Sequence, residues 1–128
     1  MNPLFLTAEE GIALNLSQIE AHGGVHGLRD RGALESALGA PPNHLAYMGG
    51  DLFDLAVTLM AALIRNHPFL DGNKRTGLLA AAVFLELNGV NIPGSREWLS
   101  RIEELAVGMA CGTRDKEDAA AVFRQYCS

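Results

Sequence analysis

Apolar residues recur along this chain at intervals of three and four, the period of a helix face rather than of a strand. Thr7-Ala8-Glu9-Glu10 has the form of a capping box ahead of Ile12, Leu16 and Ile19, which predicts a helix over 8–22 stopped by Gly23-Gly24. Asp30 caps a second helix with the apolar face Ala33, Leu34, Ala37 and Leu38; Gly39 and Pro41-Pro42 are expected to end it and to leave a loop as far as Gly49-Gly50. A third helix follows the cap Asp51, carrying Leu52, Leu55, Ala56, Leu59, Met60, Leu63 and Ile64. A fourth begins near Asn73 and closes at Asn88-Gly89, with Leu78, Leu79, Val83, Phe84, Leu85 and Leu87 among alanines. Both are apolar nearly all round and belong in the middle of the molecule. Ser95 caps a fifth over 96–110, with Trp98, Leu99, Ile102, Leu105 and Ala106 as its core stripe, and Gly112 ends it. Asp115 precedes a sixth over 116–127 that offers Ala119, Val122, Phe123 and Tyr126. No stretch alternates with period two for long enough to make a strand; Val90-Asn91-Ile92 is too short. The expected architecture is all-α, a compact bundle of about six helices in a single domain over 1–128.

Composition narrows this picture without changing it. A chain of 128 residues can bury a core without covalent staples, and its two cysteines, Cys111 and Cys127, suit neither a disulfide framework nor zinc-ligand spacing. A reducing, cytoplasmic setting is the expectation. The first ten residues hold no Lys or Arg, and the longest apolar runs are broken by Asp54 and Glu86, so neither export nor a membrane association is expected. A net charge of −5 argues against a nucleic-acid partner.

One segment exceeds what a helical connection needs. Arg65-Asn66-His67-Pro68-Phe69-Leu70-Asp71-Gly72-Asn73-Lys74-Arg75 has three basic residues and one acid inside a negative protein. Pro68 forces His67 out of helical geometry, Phe69 can anchor the loop in the core, and Gly72 permits a sharp entry into the next helix. Backbone N–H groups at Gly72, Asn73 and Lys74 would then face an anion at a helix N-terminus. Lys74 and Arg75 stand where the helix dipole disfavours cations, which raises the case for a ligand. Asp71 is a hard oxygen donor of the kind that holds Mg²⁺ when phosphates and water complete the shell, or equally a plain N-cap. His67 can accept a proton near neutral pH. The group suits phosphoryl or nucleotidyl transfer to a hydroxyl. It is not a P-loop, which needs Gly before Lys, Ser or Thr after it, and a preceding strand. His22 and His26 are four apart but lack a carboxylate to complete a metal site, and Arg29 and Arg31, with Asp30 and Glu35, read as a brace of the second helix.

The run His67 to Arg75 resembles the signature of the Fic/Doc family, H-x-F-x-[DE]-[GA]-N-[GK]-R. The block Gly27 to Leu38 and the order of helices also resemble the Doc (death-on-curing) branch, so that the likeness covers most of the chain. Two positions separate this chain from the AMP-transferring Fic enzymes: Lys74 stands where they carry Gly, and Leu78 where they carry a second Arg. Lys at this place is the Doc pattern; Gly72 for the commoner Ala and Ala40 for a frequent Arg are smaller departures.

The resemblance implies a toxin of a type II toxin–antitoxin pair that uses ATP and Mg²⁺ to phosphorylate a threonine or serine of a translation factor, elongation factor Tu above all. It implies His67 as base, Asp71 for Mg²⁺ and orientation, and Gly72, Asn73, Lys74 and Arg75 on the phosphates, with help from Arg65. It implies as well an antitoxin whose disordered tail folds into a groove, to which the loop residues Leu45, Tyr47 and Met48 are expected to contribute. The alternatives are AMP transfer to a protein hydroxyl and a non-enzymatic peptide-binding module.

Overall fold

The computed structural model describes residues 2–128, and these form six α-helices: α1 (Ala8–His22), α2 (Arg31–Met48), α3 (Leu52–Asn66), α4 (Asn73–Leu87), α5 (Arg96–Cys111) and α6 (Lys116–Tyr126). The only extended pairing among the described residues is one antiparallel bridge between Leu28 and Phe69. The caps fall where side-chain chemistry puts them. Thr7, Asp51 and Asp115 each close a capping box with the residue three positions on, and Asp30 and Ser95 accept from the backbone three positions on.

α3 is the axis of the molecule. It packs against α2, α4, α5 and α6, and Leu55, Ala56, Leu59, Met60 and Leu63 are almost wholly withdrawn from water. α4 lies closest to it because Gly77 faces α3: a Cβ there would come within 3.2 Å of the Met60 carbonyl oxygen and 3.1 Å of Ile64. That approach fixes the two ends of the His67–Arg75 connection relative to each other. α1 covers the outer side of α4, and its N-terminal approach is pinned by the Asn88 amide, which exchanges hydrogen bonds with Leu4 (2.8 and 3.0 Å) while Phe5 stacks on Phe84. Trp98 meets Phe123 edge-on at 5.0 Å and ties α5 to α6.

Four expectations are corrected. α2 does not stop at Gly39 or Pro41-Pro42 but runs on to Met48, so Leu45, Tyr47 and Met48 lie on a helix, not a loop. Proline interrupts the hydrogen-bond ladder, but Leu34, Ala37 and Pro41 form one buried line against α3, and that packing outweighs the lost bonds. Leu16 and Leu99 are exposed rather than in the core: Asn15 takes the buried place beside Leu16, and Trp98 the one beside Leu99. Arg29 does not brace α2, which is held by the Asp30 cap and the Arg31–Glu35 pair; it has a different task at the end of α3. α6 ends at Tyr126, one residue short of expectation, and Cys127 is its C-cap.

Candidate active site

α3 ends at Asn66 because Pro68 disfavours helical geometry in the residue before it. His67 accordingly adopts φ 47° and ψ 56°, the only left-handed non-glycine conformation among the described residues, at a cost of about 1–2 kcal/mol. The cost is met by contacts from a distant segment. Arg29 places Nη2 2.7 Å from the Asn66 carbonyl and donates through Nε to the carbonyl of His67, so that a guanidinium caps the α3 C-terminus. The Pro68 carbonyl accepts from the N–H groups of Arg29 (2.8 Å) and Asp30 (3.1 Å), and Leu70 N donates to Gly27 O (2.9 Å). Residues 23–30 are thus a strap laid along the loop.

The far half of the loop is held from inside. Phe69 is 2% exposed and fills the core end. Asn73, expected from the sequence to lie on the phosphates, turns its side chain to Phe69: its Oδ1 accepts from Phe69 N and its Nδ2 donates to Phe69 O, both at 3.0 Å. A buried amide so placed leaves its backbone N–H as the group that faces a ligand. Asn15, fully buried on α1, donates Nδ2 to the Asp71 carbonyl (2.9 Å) and lies 3.1 Å from Thr76 Oγ1, while its Oδ1 has no partner. The sequence carried one sign of this residue: Asn15 stands within the apolar stripe of α1, where a polar side chain needs a buried partner.

Asp71 is not the N-cap of α4. Gly72 is, at φ 77° and ψ 19°, and it supplies no side chain to close the helix start. The left-handed turn and the 3.3 Å that a Cβ would leave to Asn15 and Ile19 both favour glycine here. The N–H groups of the first turn therefore face outward uncapped, and the exposed Lys74 and Arg75 lie directly on that turn. Neither has a carboxylate within 4 Å among the described residues, where ion pairs engage only Arg31 and Arg124.

The Asp71 carboxylate uses Oδ2 to accept from Val25 N (2.8 Å) and has no protein partner on Oδ1. Among the described residues no cluster of three His, Cys, Asp or Glu side chains surrounds it or any other point. One exposed carboxylate with one free oxygen does not make an all-protein metal cage; it does suit Mg²⁺, which takes one or two carboxylates and completes its octahedron with phosphate and water. His22 and His26 are exposed and belong to no such cluster.

Arg65 and His67 line a cleft of about 490 Å³ between the end of α3 and the connection from α5 to α6, a lining to which Asp71, Lys74 and Arg75 do not contribute. The structure thus divides the predicted residues. Arg65 and His67 border the cleft, Asp71 is tied to the strap, Asn73 is folded into the loop, and Gly72, Lys74 and Arg75 form an open helix start.

The profile of the Fic/DOC family matches residues 5–85, which run from the approach to α1 through the strap and the His67 loop to the end of α4. The chain belongs to the Fic/DOC family. Protein kinase doc of Escherichia phage P1 is 36% identical over 121 residues, 94% of this chain and 93% of that protein. Toxin Doc of Mycolicibacterium smegmatis (strain ATCC 700084 / mc(2)155) is 37% identical over 112 residues, 84% of each chain. The profile match ends at residue 85, before α5, whereas the alignment with the phage protein takes in 94% of the chain.

Proposed function

We propose that this protein is the toxin of a toxin–antitoxin pair and transfers the γ-phosphate of ATP to a serine or threonine hydroxyl of a protein, with elongation factor Tu the first candidate. The observation that carries the reading is the loop itself. An exposed histidine held in a strained conformation stands five residues before an uncapped helix start that bears two unpaired cations, one of them Lys74. The names of the two relatives, a protein kinase and a toxin, agree with it. Lys74 in place of glycine and Leu78 in place of a second arginine favour phosphate over AMP as the group transferred.

In this reading His67 accepts the proton of the attacking hydroxyl as its oxygen bonds to the γ-phosphorus; the bond from that phosphorus to the bridging oxygen breaks, and ADP leaves. The Asn73 N–H, Lys74 and Arg75 neutralise the transferring phosphate. Asp71 would hold Mg²⁺, which supplies charge neutralisation between the phosphates when bound. Its second oxygen, fixed by Val25 N, keeps the carboxylate aimed. The antitoxin would cover the exposed apolar end of α2, where Tyr47 is 86% and Met48 76% exposed.

The test is incubation with elongation factor Tu and ATP labelled at either the γ- or the α-phosphate. Transfer of γ label only, abolished by His67→Ala, is the expected result. Transfer of α label would show AMP transfer instead, and no label on any translation factor would refute both reactions.

A further inference from the structure

Asn15 is wholly buried on α1, on the side where that helix otherwise packs Gly11 and Ile12 inward. Its Oδ1 has no partner, so stability alone does not select the amide: a leucine of similar volume would leave no acceptor unpaired. Its Nδ2 makes two bonds, both to the start of α4, at 2.9 Å to the Asp71 carbonyl and 3.1 Å to the Thr76 hydroxyl. Asp71 is therefore held at two points by remote segments, its carboxylate by Val25 N and its carbonyl by Asn15, 56 positions away.

A trans peptide is planar, with its C=O and N–H directed oppositely. Since the Asp71 carbonyl is drawn inward to Asn15, the Gly72 N–H is directed away from the core, and it has no acceptor among the described residues. Gly72 is the N-cap of α4, so this donor stands beside the uncapped N–H groups of Asn73 and Lys74. Glycine by itself would not keep that orientation. It crosses readily between positive and negative φ, and a swing of the Asp71–Gly72 peptide would turn a carbonyl oxygen toward the anion in place of an N–H. Asn15 also lies against the hinge: a Cβ on Gly72 would be 3.3 Å from its Nδ2. One buried amide thus decides whether this peptide presents a donor or an acceptor.

We infer that Asn15 is a positioning residue of the proposed phosphoryl transfer, locking the Asp71–Gly72 peptide so that the Gly72 N–H donates to the transferring phosphate beside the Asn73 N–H, Lys74 and Arg75. The inference rests on the nucleotide-using reading of the His67 loop and extends it to a buried residue of α1.

Asn15→Leu keeps the volume and removes the donor, whereas Thr76→Val removes the other partner of Asn15 and leaves the Asp71 bond. The full-length proteins, with melting curves to verify folding, are compared in γ-phosphate transfer to elongation factor Tu. Isotope-labelled for NMR, they are also compared in the response of the Gly72 N–H resonance to the Mg²⁺ complex of β,γ-imido-ATP. In the wild type this resonance is expected to shift together with those of Asn73 and Lys74. Asn15→Leu should lose the Gly72 shift and lower kcat about ten- to a hundred-fold, somewhat less than outright removal of an oxyanion donor, with KM for the acceptor unchanged. Thr76→Val should keep the Gly72 response and most of kcat. A folded Asn15→Leu with wild-type kcat and Gly72 response would overturn the inference, and so would a Thr76→Val that loses as much activity while keeping that response. If Asn15→Leu does not fold, the wild type decides: Asn73 and Lys74 resonances that shift without Gly72 overturn the inference equally. A wild type whose Gly72 N–H responds to the nucleotide but which transfers no phosphate would refute the kinase reading and leave the peptide lock standing; an active wild type with a silent Gly72 would refute this inference alone.

Discussion

In the proposed reaction His67 is the base, and its geometry is maintained by a side chain 38 positions earlier. Arg29 holds the last two carbonyls before Pro68, so removing its guanidinium frees His67 to leave the left-handed region. Arg29→Ala is expected to lower kcat about ten-fold with little change in KM for ATP, and to cost about 1 kcal/mol of stability, the worth of one net hydrogen-bonded cap. Arg29 is exposed, so millimolar guanidinium should restore part of the rate; no restoration, with folding intact, would show that the cap does not act through His67. Asn73 presents a different case. Asn73→Ala leaves both the N–H and the carbonyl of buried Phe69 without their partner, and a loss of roughly 2–4 kcal/mol is expected in urea unfolding. Asn73→Asp keeps the acceptor for Phe69 N and should lose less. At the level of single residues, the sequence singled out the His67–Arg75 loop but not the partners its side chains take, such as Phe69 for Asn73 and Val25 for Asp71.

At the scale of elements, the closest joint is α3 on α4. Gly77 sets it, and its neighbour on the facing helix is the Met60 backbone, which has no rotamer by which to retreat. Gly77→Ala is expected to destabilise by about 1–3 kcal/mol despite the better helix propensity of alanine, because the overlap forces the helices apart. The proposed activity should fall with it at temperatures well below melting, since the two helices carry the two ends of the His67–Arg75 loop. Thermal melts and rates at 20 °C or so check both. α2 shows the opposite balance: two prolines in its middle are tolerated because the burial of Leu34, Ala37 and Pro41 on α3 decides the matter.

Across the whole molecule, α6 is fastened to the start of α3 by one cluster. Arg124 Nη2 lies 3.0 Å from Asp51 and 2.9 Å from Asp54. Burial works to raise the Asp54 pKa, but the Asp51 N–H and the Arg124 guanidinium outweigh it and hold the carboxyl below its usual 3.8. A depressed folded pKa means that this contribution is complete above that value and disappears as pH falls through the lower folded one. Arg124→Ala should therefore reduce stability modestly at pH 7, the groups being well exposed, and reduce it less as the pH drops below about 4. Denaturant titrations at pH 7 and pH 3 read the difference. The two thiols provide a second global check. Cys111 is exposed, whereas burial pushes the Cys127 thiol up to about 11, so one thiol should react with a disulfide reagent at pH 7 in the native protein and two after unfolding.

Much of this protein is written in local pattern. Six helices, their caps and the unusual loop between the two most apolar of them follow from residues within a few positions of one another, because capping, periodicity and proline's restriction are short-range effects. No described helix is long and apolar enough to cross a membrane, which agrees with the broken apolar runs. Tertiary structure alone decided what depends on residues far apart in the chain. It carried α2 through its prolines, turned Asn73 inward to Phe69, gave Asp71 to Val25 across 46 positions and set Arg29 beneath His67. It also set Asn15 against Asp71 and Gly72. The physical reason is common to all of these: a side chain's partner is fixed by which surfaces the core brings together, and spacing along one helix contains no record of the helix that packs against it.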